Sequence, residues 1–359
     1  MNIRIPSRIK RAAKILFTPI PRSYPLPAFL EEDSSRESLL QRIKTTPASG
    51  AAHRELGDYY AKRDVFVSAI AEYRTALAFA RTTTTVRSLA NAYRAGGYSA
   101  LAAEATACLI PPQFVAATAT KSATVGSDDE IVLHSLDATR YQRLRATATR
   151  IKELYRGKTL RVLDVGGGDG ALCLFLPEAE YVLAEPTTNG LTCDMALPET
   201  SFDVVVACHV LEHIPADARD GFLSQLCRKS RGQVLILGPF AVKADDDELA
   251  HRLVYEITKA GWAAEHIASE LPTIESVKAF AERKGLPVTV TANGNAAAVF
   301  WMIFASYFAG MSGLGPELDR ITRFFNAHLS HQMTNPLQPN DFIVELCVGG
   351  TLVQEGTVR

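Results

Sequence analysis

Residues 160–170 read Leu-Arg-Val-Leu-Asp-Val-Gly-Gly-Gly-Asp-Gly, and the fold can be worked out from this stretch. The apolar residues ahead of the glycines predict a buried strand, and residues 171–176 predict the start of a helix. Because glycine has no Cβ atom, it lets the backbone turn sharply and lie against a ligand. The order strand, glycine turn and helix therefore predicts a nucleotide-type site in an α/β fold.

The glycine pattern alone leaves two cofactors open. Gly166-x-Gly168-x-x-Ala171 satisfies the dinucleotide pattern that binds NAD. Asp164, two residues before the first glycine, forms with Gly166, Gly168 and Gly170 a pattern that resembles motif I of the class I S-adenosylmethionine (SAM)-dependent methyltransferases. In that family the acid holds the amino group of the methionine moiety, directly or through water, and the glycines face the cofactor.

A second stretch, residues 197–214, resembles the same family closely. It reads LPETSFDVVVACHVLEHI and follows the family pattern L-P-x-x-x-F-D-V-V-x-x-x-x-V-L-E-H-I at the expected distance from motif I. Dehydrogenases have no counterpart, so the two motifs together favour SAM over NAD. The resemblance spans about residues 135–240 and implies a Rossmann-like methyltransferase sheet of seven strands.

Four further residues are candidates for the cofactor site. Glu185 ends the second predicted strand, where an acid can accept hydrogen bonds from the ribose hydroxyls of either cofactor. The resemblance implies that Asp194 approaches the adenine amino group. It also places Tyr141 and Arg143 where family members reach the SAM carboxylate, although an ordinary amphipathic helix with a solvated arginine is the alternative.

Three histidines are candidates for a catalytic base, which an alcohol acceptor needs to lose its proton. His209 and His213 follow the fourth predicted strand, and His266 lies in the loosely matched region. An unperturbed imidazole titrates at about pH 6.5. His209 is also expected beside the cofactor, whereas in the family the L-E-H histidine often caps the next helix. No zinc spacing or phosphate-binding loop occurs, so we expect no metal.

The chain ahead of the α/β region is predicted to be helical. Residues 56–76 reproduce the tetratricopeptide spacing L-G-x-x-Y…A-x-x-x-F…A, with tyrosine at the Phe position, and a degenerate copy follows. We therefore divide the chain into a basic segment (1–33), a tetratricopeptide-like helical domain (34–115), a linker (116–130) and a SAM-dependent methyltransferase domain (131–352). The helical domain is either a docking surface for a partner or a cap on the catalytic domain.

Two segments bear on membranes. Residues 1–30 are basic and amphipathic, so they are either an interfacial helix on anionic lipid or a basic arm without fixed structure. Residues 296–315 are apolar enough for a span by length. They lie between predicted strands at residues 287–291 and 342–348 that must pair in one sheet, so we predict a buried helix instead.

Composition sets the remaining expectations. A net charge of −1 gives no attraction to nucleic acid, and six cysteines without a C-x-x-C pair favour reduced thiols in the cytoplasm. Residues 265–295 loosely resemble methyltransferases of bacterial surface-polysaccharide pathways. The sequence thus predicts a SAM-dependent methyltransferase that methylates an oxygen of a saccharide or glycan precursor. The alternatives are another small-molecule or lipid acceptor and a non-catalytic scaffold.

Overall fold

The structure is a computed structural model that describes residues 33–109, 127–192, 197–241, 244–268, 270–330 and 334–349. The basic N-terminal segment up to residue 32, most of the predicted linker and the predicted adenine contact Asp194 lie outside these ranges. The described residues form a mixed α/β protein with one sheet, as the sequence predicted. Its strands are β1 (Arg161–Val165), β2 (Glu180–Ala184), β3 (Phe202–Cys208), β4 (Ser230–Gly238), β5 (Val288–Asn293) and β6 (Asp341–Cys347).

The strand order is β2-β1-β3-β4-β6-β5. The first four strands in this order are mutually parallel, and β6 is antiparallel to both β4 and β5. Strands β1 to β4 read as continuous apolar runs because a parallel sheet is covered on both faces. The prediction of seven strands is not met within the described residues, which contain six in the sheet. The missing strand was predicted at residues 191–194, of which only the first two are described.

Helices lie on either side of the sheet and ahead of it. The first five in the described chain are α1 (Ser34–Thr45), α2 (Gly50–Ala61), α3 (Phe66–Phe79), α4 (Thr83–Ala95) and α5 (Ser99–Ala107), and we call them the helical cap. Two more, α6 (Ser127–Leu133) and α7 (Ala138–Leu154), lead into β1. The rest are α8 (Leu172–Phe175), α9 (Arg219–Lys229), α10 (Ala244–Thr258), α11 (Gly261–Ala268), α12 (Ile274–Lys284), α13 (Ala296–Met311) and α14 (Gly315–His328).

The helix pairs of the cap fall where the repeat spacing places them. Gly57 on α2 lies against the ring of Tyr73 on α3, and a Cβ atom at Gly57 would come within 2.7 Å of that ring. Glycine therefore lets the two helices approach closely. Helices α4 and α5 also pack against each other. The assignment of these pairs to the tetratricopeptide class stays a prediction.

The cap covers the outer edge of β2, which ends the sheet among the described strands. The buried hydroxyl of Thr75 on α3 accepts a hydrogen bond from the outward N–H of Leu183 at 3.0 Å. The side-chain amide of Asn189 donates to the Leu183 carbonyl at 2.8 Å and to Glu72 of α3 at 2.9 Å. An exposed strand edge invites pairing with other chains, and these contacts close it. The cap and the sheet share one hydrophobic core.

Buried charges fix the cap further. Arg74 on α3 is 6% exposed and donates to the carbonyl oxygens of Cys173, Leu176 and Ala179 around the end of α8. Of the two interpretations offered for the helical domain, the structure therefore shows a cap on the sheet. Docking of a partner on its outer surface stays a prediction.

The predicted linker ends earlier than residue 130. Helix α6 begins at Ser127, and the carboxylate of Asp129 accepts from the N–H groups of Ala100 and Leu101 at 3.1 and 3.0 Å. The sequence Ser-Asp-Asp-Glu, which suggested a loop, is also a composition that starts helices, since acids favour the first helical turn.

The apolar segment predicted at residues 296–315 begins with helix α13. Only Phe304 and Tyr307 of this helix are buried, and Trp301 is 69% exposed. The prediction of a helix is confirmed, but burial along its whole length is wrong. Among the described residues, no helix has both the length and the apolar character to cross a bilayer.

Candidate active site

A cavity of about 1250 Å³ opens at the carboxyl ends of β1, β2 and β3. Open α/β sheets bind their ligands at this edge, where the loops after the strands converge. Its wall combines the glycine loop after β1, the turn after β2, the segment after β3, and residues of α7, α10, α11 and α13. The sequence-predicted residues Asp164, Gly166, Gly168, Arg143, His209, His213 and His266 all line it.

Asp164 lies at the end of β1 and is 1% exposed. Its Oδ2 accepts a hydrogen bond from the Tyr181 hydroxyl at 2.6 Å, whereas its buried Oδ1 has no hydrogen-bond partner. Burial raises the pKa of Asp164 to about 7, with the nearby carboxylates of Glu185 and Asp169 adding to the rise and the Tyr181 hydrogen bond opposing it. The site therefore contains a buried acid with one unsatisfied oxygen.

The glycine loop needs its glycines for different reasons. Gly166 and Gly168 have φ values of +72° and +62°, in the left-handed region that side chains rarely adopt. A Cβ atom at Gly167 would lie 2.2 Å from Asp164 Oδ2, so the buried acid requires a glycine there. A Cβ atom at Gly168 would meet nothing within 4 Å, because that position faces open space in the cavity. Gly170 instead faces the helical cap.

Glu185 follows β2 and is 9% exposed. Its carboxylate accepts from the N–H of Gly168 at 3.0 Å and from both the N–H and the hydroxyl of Thr187, at 3.0 and 2.7 Å. It thus ties the glycine loop to the turn after β2. A carboxylate has about four acceptor positions, so hydrogen bonds from a ribose remain compatible with these contacts.

The cap also holds this turn. Arg36 of α1 donates to the carbonyl of Thr187, and the Tyr60 hydroxyl of α2 donates to the carbonyl of Thr188. Arg36 itself lines the cavity. The helical cap therefore positions a wall of the cavity, a role that the sequence did not reveal.

Helix α7 supplies two of the predicted cofactor residues, and the structure separates them. Arg143 lines the cavity. Tyr141 is 6% exposed and packs its ring between His134 and Phe175, with centroids 5.3 and 5.5 Å away. Burial raises the pKa of Tyr141. The environment of Tyr141 is that of an ordinary core residue on an amphipathic helix. The neighbouring Arg140, which the sequence did not suggest, lines the cavity and pairs with Asp169.

His209 follows β3 with a φ of +57°, an uncommon conformation for a residue with a side chain. Its Nδ1 lies 3.2 Å from Glu212 Oε1, and its Nε2 lies 3.3 Å from Asp341 Oδ1 on β6. Burial alone would lower the pKa of His209, but the two carboxylates outweigh it and raise the pKa to about 9. Both ring nitrogens are therefore protonated at neutral pH, and the positively charged ring cannot accept a further proton as a base.

His213 and His266 meet in a cluster of aromatic rings. His213 Nδ1 lies 3.2 Å from Glu265 Oε2, and the rings of His213 and His266 have centroids 5.5 Å apart. His266 Nδ1 lies 3.1 Å from His251 Nε2 of α10. Burial and the neighbouring His251 lower the pKa of His266 to about 4, so its ring is neutral at pH 7. Ligand atoms of Glu212, His213 and His266 lie within 4.8 Å of one another, the spacing of a potential metal site.

The far wall of the cavity is apolar. Val254 of α10, Ala263 of α11 and Phe304 of α13 form a small hydrophobic cluster separate from the main core. Phe300 and Trp262 pack on this cluster and line the cavity. These side chains come from three different helices, so no single local motif marked them.

Three features of the cavity suit SAM as a ligand. The unpaired, buried Oδ1 of Asp164 suits a cationic donor such as the ammonium of a methionine moiety. The open space at Gly168 lets a ligand lie against the loop backbone. The cavity is larger than a single small ligand requires, so it has room for an acceptor as well.

Residues 136–289 match the family model of a methyltransferase domain. The match bears out the SAM cofactor and supports the methyltransferase class, both of which the two motifs predicted. The family match covers the sheet from β1 to the start of β5 together with α7. A search of curated proteins found no match.

Several solved methyltransferase structures are also similar. A SAM-dependent methyltransferase from Archaeoglobus fulgidus is 15% identical over 57% of this chain and 92% of its own, with a TM-score of 0.35. Magnesium protoporphyrin IX methyltransferase from Synechocystis, solved with S-adenosylhomocysteine, is 11% identical over 62% of this chain and 88% of its own, with a TM-score of 0.35. Phosphoethanolamine N-methyltransferase 2 from Haemonchus contortus is 17% identical over 56% of this chain and 52% of its own, with a TM-score of 0.34. All three TM-scores are below 0.5.

Proposed function

We propose that the chain transfers a methyl group from SAM to an oxygen atom of an acceptor. The buried carboxylate of Asp164 carries this proposal, because its Oδ1 lacks a partner at the wall of the cavity. Leaving a buried acid half satisfied is costly unless a ligand completes it. The ammonium of SAM supplies such a donor, and NAD has no ammonium group. The carboxylate therefore favours the first of the two cofactors that the glycine pattern allows.

The remaining residues take roles around that contact. Glu185 receives the ribose hydroxyls, Arg143 the methionine carboxylate, and Asp194 the adenine amino group, as the family resemblance implies. When bound, SAM supplies a methyl group on a positively charged sulfur. The work of the protein is then to align the acceptor oxygen with that methyl group and to exclude water.

For the acceptor we propose a hydroxyl group on a saccharide or glycan precursor. Asn340 lines the cavity and its buried Oδ1 has no hydrogen-bond partner, so it can accept from a sugar hydroxyl. Trp262 and Phe300 offer aromatic faces to the carbon side of a ring. The apolar wall around Val254 favours a second candidate, an acceptor that carries a lipid or another apolar group.

Titration of the full chain with SAM, S-adenosylhomocysteine and NAD tests the cofactor. A ligand at a hundredfold excess over its Kd stabilises the folded state by about 2.7 kcal/mol, which a thermal shift detects. We expect shifts with both adenosyl compounds. A shift with NAD alone, or with none of the three, would overturn the proposal.

A screen with labelled methyl donor tests the acceptor. Free sugars, sugar nucleotides, lipid-linked saccharides and simple lipids are incubated with the chain and separated by chromatography. Label in a saccharide fraction supports the first candidate, and label confined to lipids supports the second. SAM binding without transfer to any of these, nor to cell extract, would favour the non-catalytic scaffold.

A further inference from the structure

Three side chains with metal-binding chemistry meet at the wall of the cavity. Glu212 and His213 belong to the short turn of helix after β3, and His266 comes from α11. One ligand atom from each lies within 4.8 Å of the others. All three residues line the cavity, so an ion between them would face the acceptor space.

Glu212 is buried, and one of its carboxylate oxygens makes no hydrogen bond. Its side chain is 1% exposed, and its Oε1 makes no hydrogen bond. That oxygen lies 3.2 Å from His209 Nδ1, without hydrogen-bond geometry. His209 offsets part of the charge of Glu212 but is shared with Asp341, so the Glu212 carboxylate keeps acceptor positions for a bound cation.

Each histidine of the cluster already has an outer partner on one ring nitrogen. His213 Nδ1 lies 3.2 Å from Glu265 Oε2, and His266 Nδ1 lies 3.1 Å from His251 Nε2. Histidines that bind metals generally donate from one nitrogen to a carboxylate or similar group and give the other nitrogen to the ion. These contacts are of the kind that orients metal-binding histidines.

We propose that Glu212, His213 and His266 bind a divalent transition-metal ion of the Zn²⁺ type at the acceptor end of the cavity. Two imidazoles and one carboxylate are a donor set that suits Zn²⁺ and leaves a fourth position open. Ligands at a tetrahedral zinc ion stand about 3.4 Å apart, since Zn–N distances are about 2.0–2.1 Å. Small rotations reach that spacing, because the His213 side chain is 40% exposed and can move.

The catalytic role of this ion rests on the proposed function, whereas its binding does not. The open position takes the hydroxyl oxygen of the acceptor and makes its proton more acidic. The proton passes to water. The acceptor oxygen then gives an electron pair to the methyl carbon while the carbon–sulfur bond breaks and its pair stays on sulfur. The products are a methyl ether, S-adenosylhomocysteine and one proton.

Titration of the chelator-treated full chain with Zn²⁺, in competition with a chromophoric chelator, tests the site. We expect one ion per chain. His213→Ala and His266→Ala should each weaken Zn²⁺ binding by at least about tenfold, and Glu265→Gln, which removes only the outer partner of His213, by about tenfold. His328→Ala is the matched control, because His328 lies exposed on α14 outside the cluster. It should bind Zn²⁺ as the unaltered chain does.

Affinity for SAM, measured on the same variants, separates the two proposals. We expect it to be unchanged, since Asp164 and the glycine loop are intact in each. Zn²⁺ binding with no SAM binding would remove the catalytic role and keep the site. Failure to bind one Zn²⁺ per chain, or equal binding by the His213→Ala chain, would overturn the metal site. Visible absorption of the Co²⁺-loaded unaltered chain gives an independent check, because it must show a tetrahedral spectrum with imidazole ligands.

Discussion

Gly168 and Gly170 stand two residues apart in one loop and face different parts of the molecule. Both have left-handed backbone conformations, with φ values of +62° and +84°. A Cβ atom at Gly168 would enter open cavity, whereas one at Gly170 would lie 2.4 Å from the Cβ of Ala71 on α3. The same motif therefore faces the cavity on one side and packs against the helical cap on the other. A glycine in a binding motif need not be there for the ligand.

The largest effect expected from this comparison is on stability at the cap face. Gly170→Ala combines a strained φ with a collision against buried helix α3, and we expect a loss of about 3 kcal/mol in the free energy of unfolding. Gly168→Ala carries only the strain and should lose about 1 kcal/mol. Denaturant unfolding measures both. Equal losses would mean that Gly170 is packed against α3 no more tightly than Gly168 is against its surroundings.

The next effect is on binding at the cavity face. Asp164→Asn keeps the shape of the side chain but removes the charge that faces the cofactor. We expect SAM affinity to fall about 30-fold, because hydrogen bonds between charged groups contribute about 2 kcal/mol. Isothermal titration measures it, and far-ultraviolet circular dichroism confirms that the variant folds. Unchanged affinity would show that the methionine end is held by other residues.

A smaller loss of stability is expected where the cap closes the edge of β2. Thr75→Val keeps the volume of the side chain and removes the acceptor of the Leu183 N–H, so a buried donor loses its partner. We expect a loss of about 1.5 kcal/mol in the free energy of unfolding. Thr84→Val, at an exposed position of α4, is the control and should change little. A loss no larger than in the control would mean that water replaces the hydroxyl.

The smallest effect concerns pH and again belongs to the cavity face. The pKa of Asp164 is raised to about 7 in the ligand-free protein, and Tyr181, Glu185, Asp169 and Arg140 are the titratable groups around it. Binding of a cation needs the ionised form, so SAM affinity should rise about tenfold from pH 6 to pH 8 and then level off. Titrations across this range check it. Asp164→Asn should abolish the slope.

Stability of the ligand-free protein should respond to pH with the opposite sign. Between about pH 4 and pH 7 the folded protein retains a proton on Asp164 that the unfolded chain has released. This group therefore makes folding less favourable as pH rises through that window, and its contribution is constant above it. Thermal unfolding of Asp164→Asn should lack this component, so the variant gains stability relative to the unaltered chain at pH 8.

The half of the cavity that we propose for the cofactor could be located from the sequence because its residues are neighbours in the chain. Asp164 and its glycines sit in one strand and one turn, and parallel strands bring Glu185 and His209 to the same edge. The acceptor half was not predictable in the same way. His251 and Trp262 meet His266 only after α10 and α11 fold together, and apolar residues on helices look alike whether they line a cavity or a core.

The sheet itself shows the same limit. Apolar runs in the sequence predicted the parallel strands and their alternation with helices along the chain. The closing of the β2 edge by Thr75 and Asn189 was not, because a threonine in a helix gives no sign that its hydroxyl meets a strand 108 residues later. Tyr141 shows a related limit. Its position in the helical pattern was compatible with a cofactor contact and with the core, and the sequence could not decide between them.

The contact between Thr75 and Leu183 bears on how the chain folds during synthesis. Helix α3 buries every residue from Ser68 to Ala76, yet its partner strand β2 leaves the ribosome about a hundred residues later. Contacts this distant along the chain slow folding, because a long loop must close before they form. During synthesis, the buried surface of α3 therefore has no strand to pack against until β2 has been made.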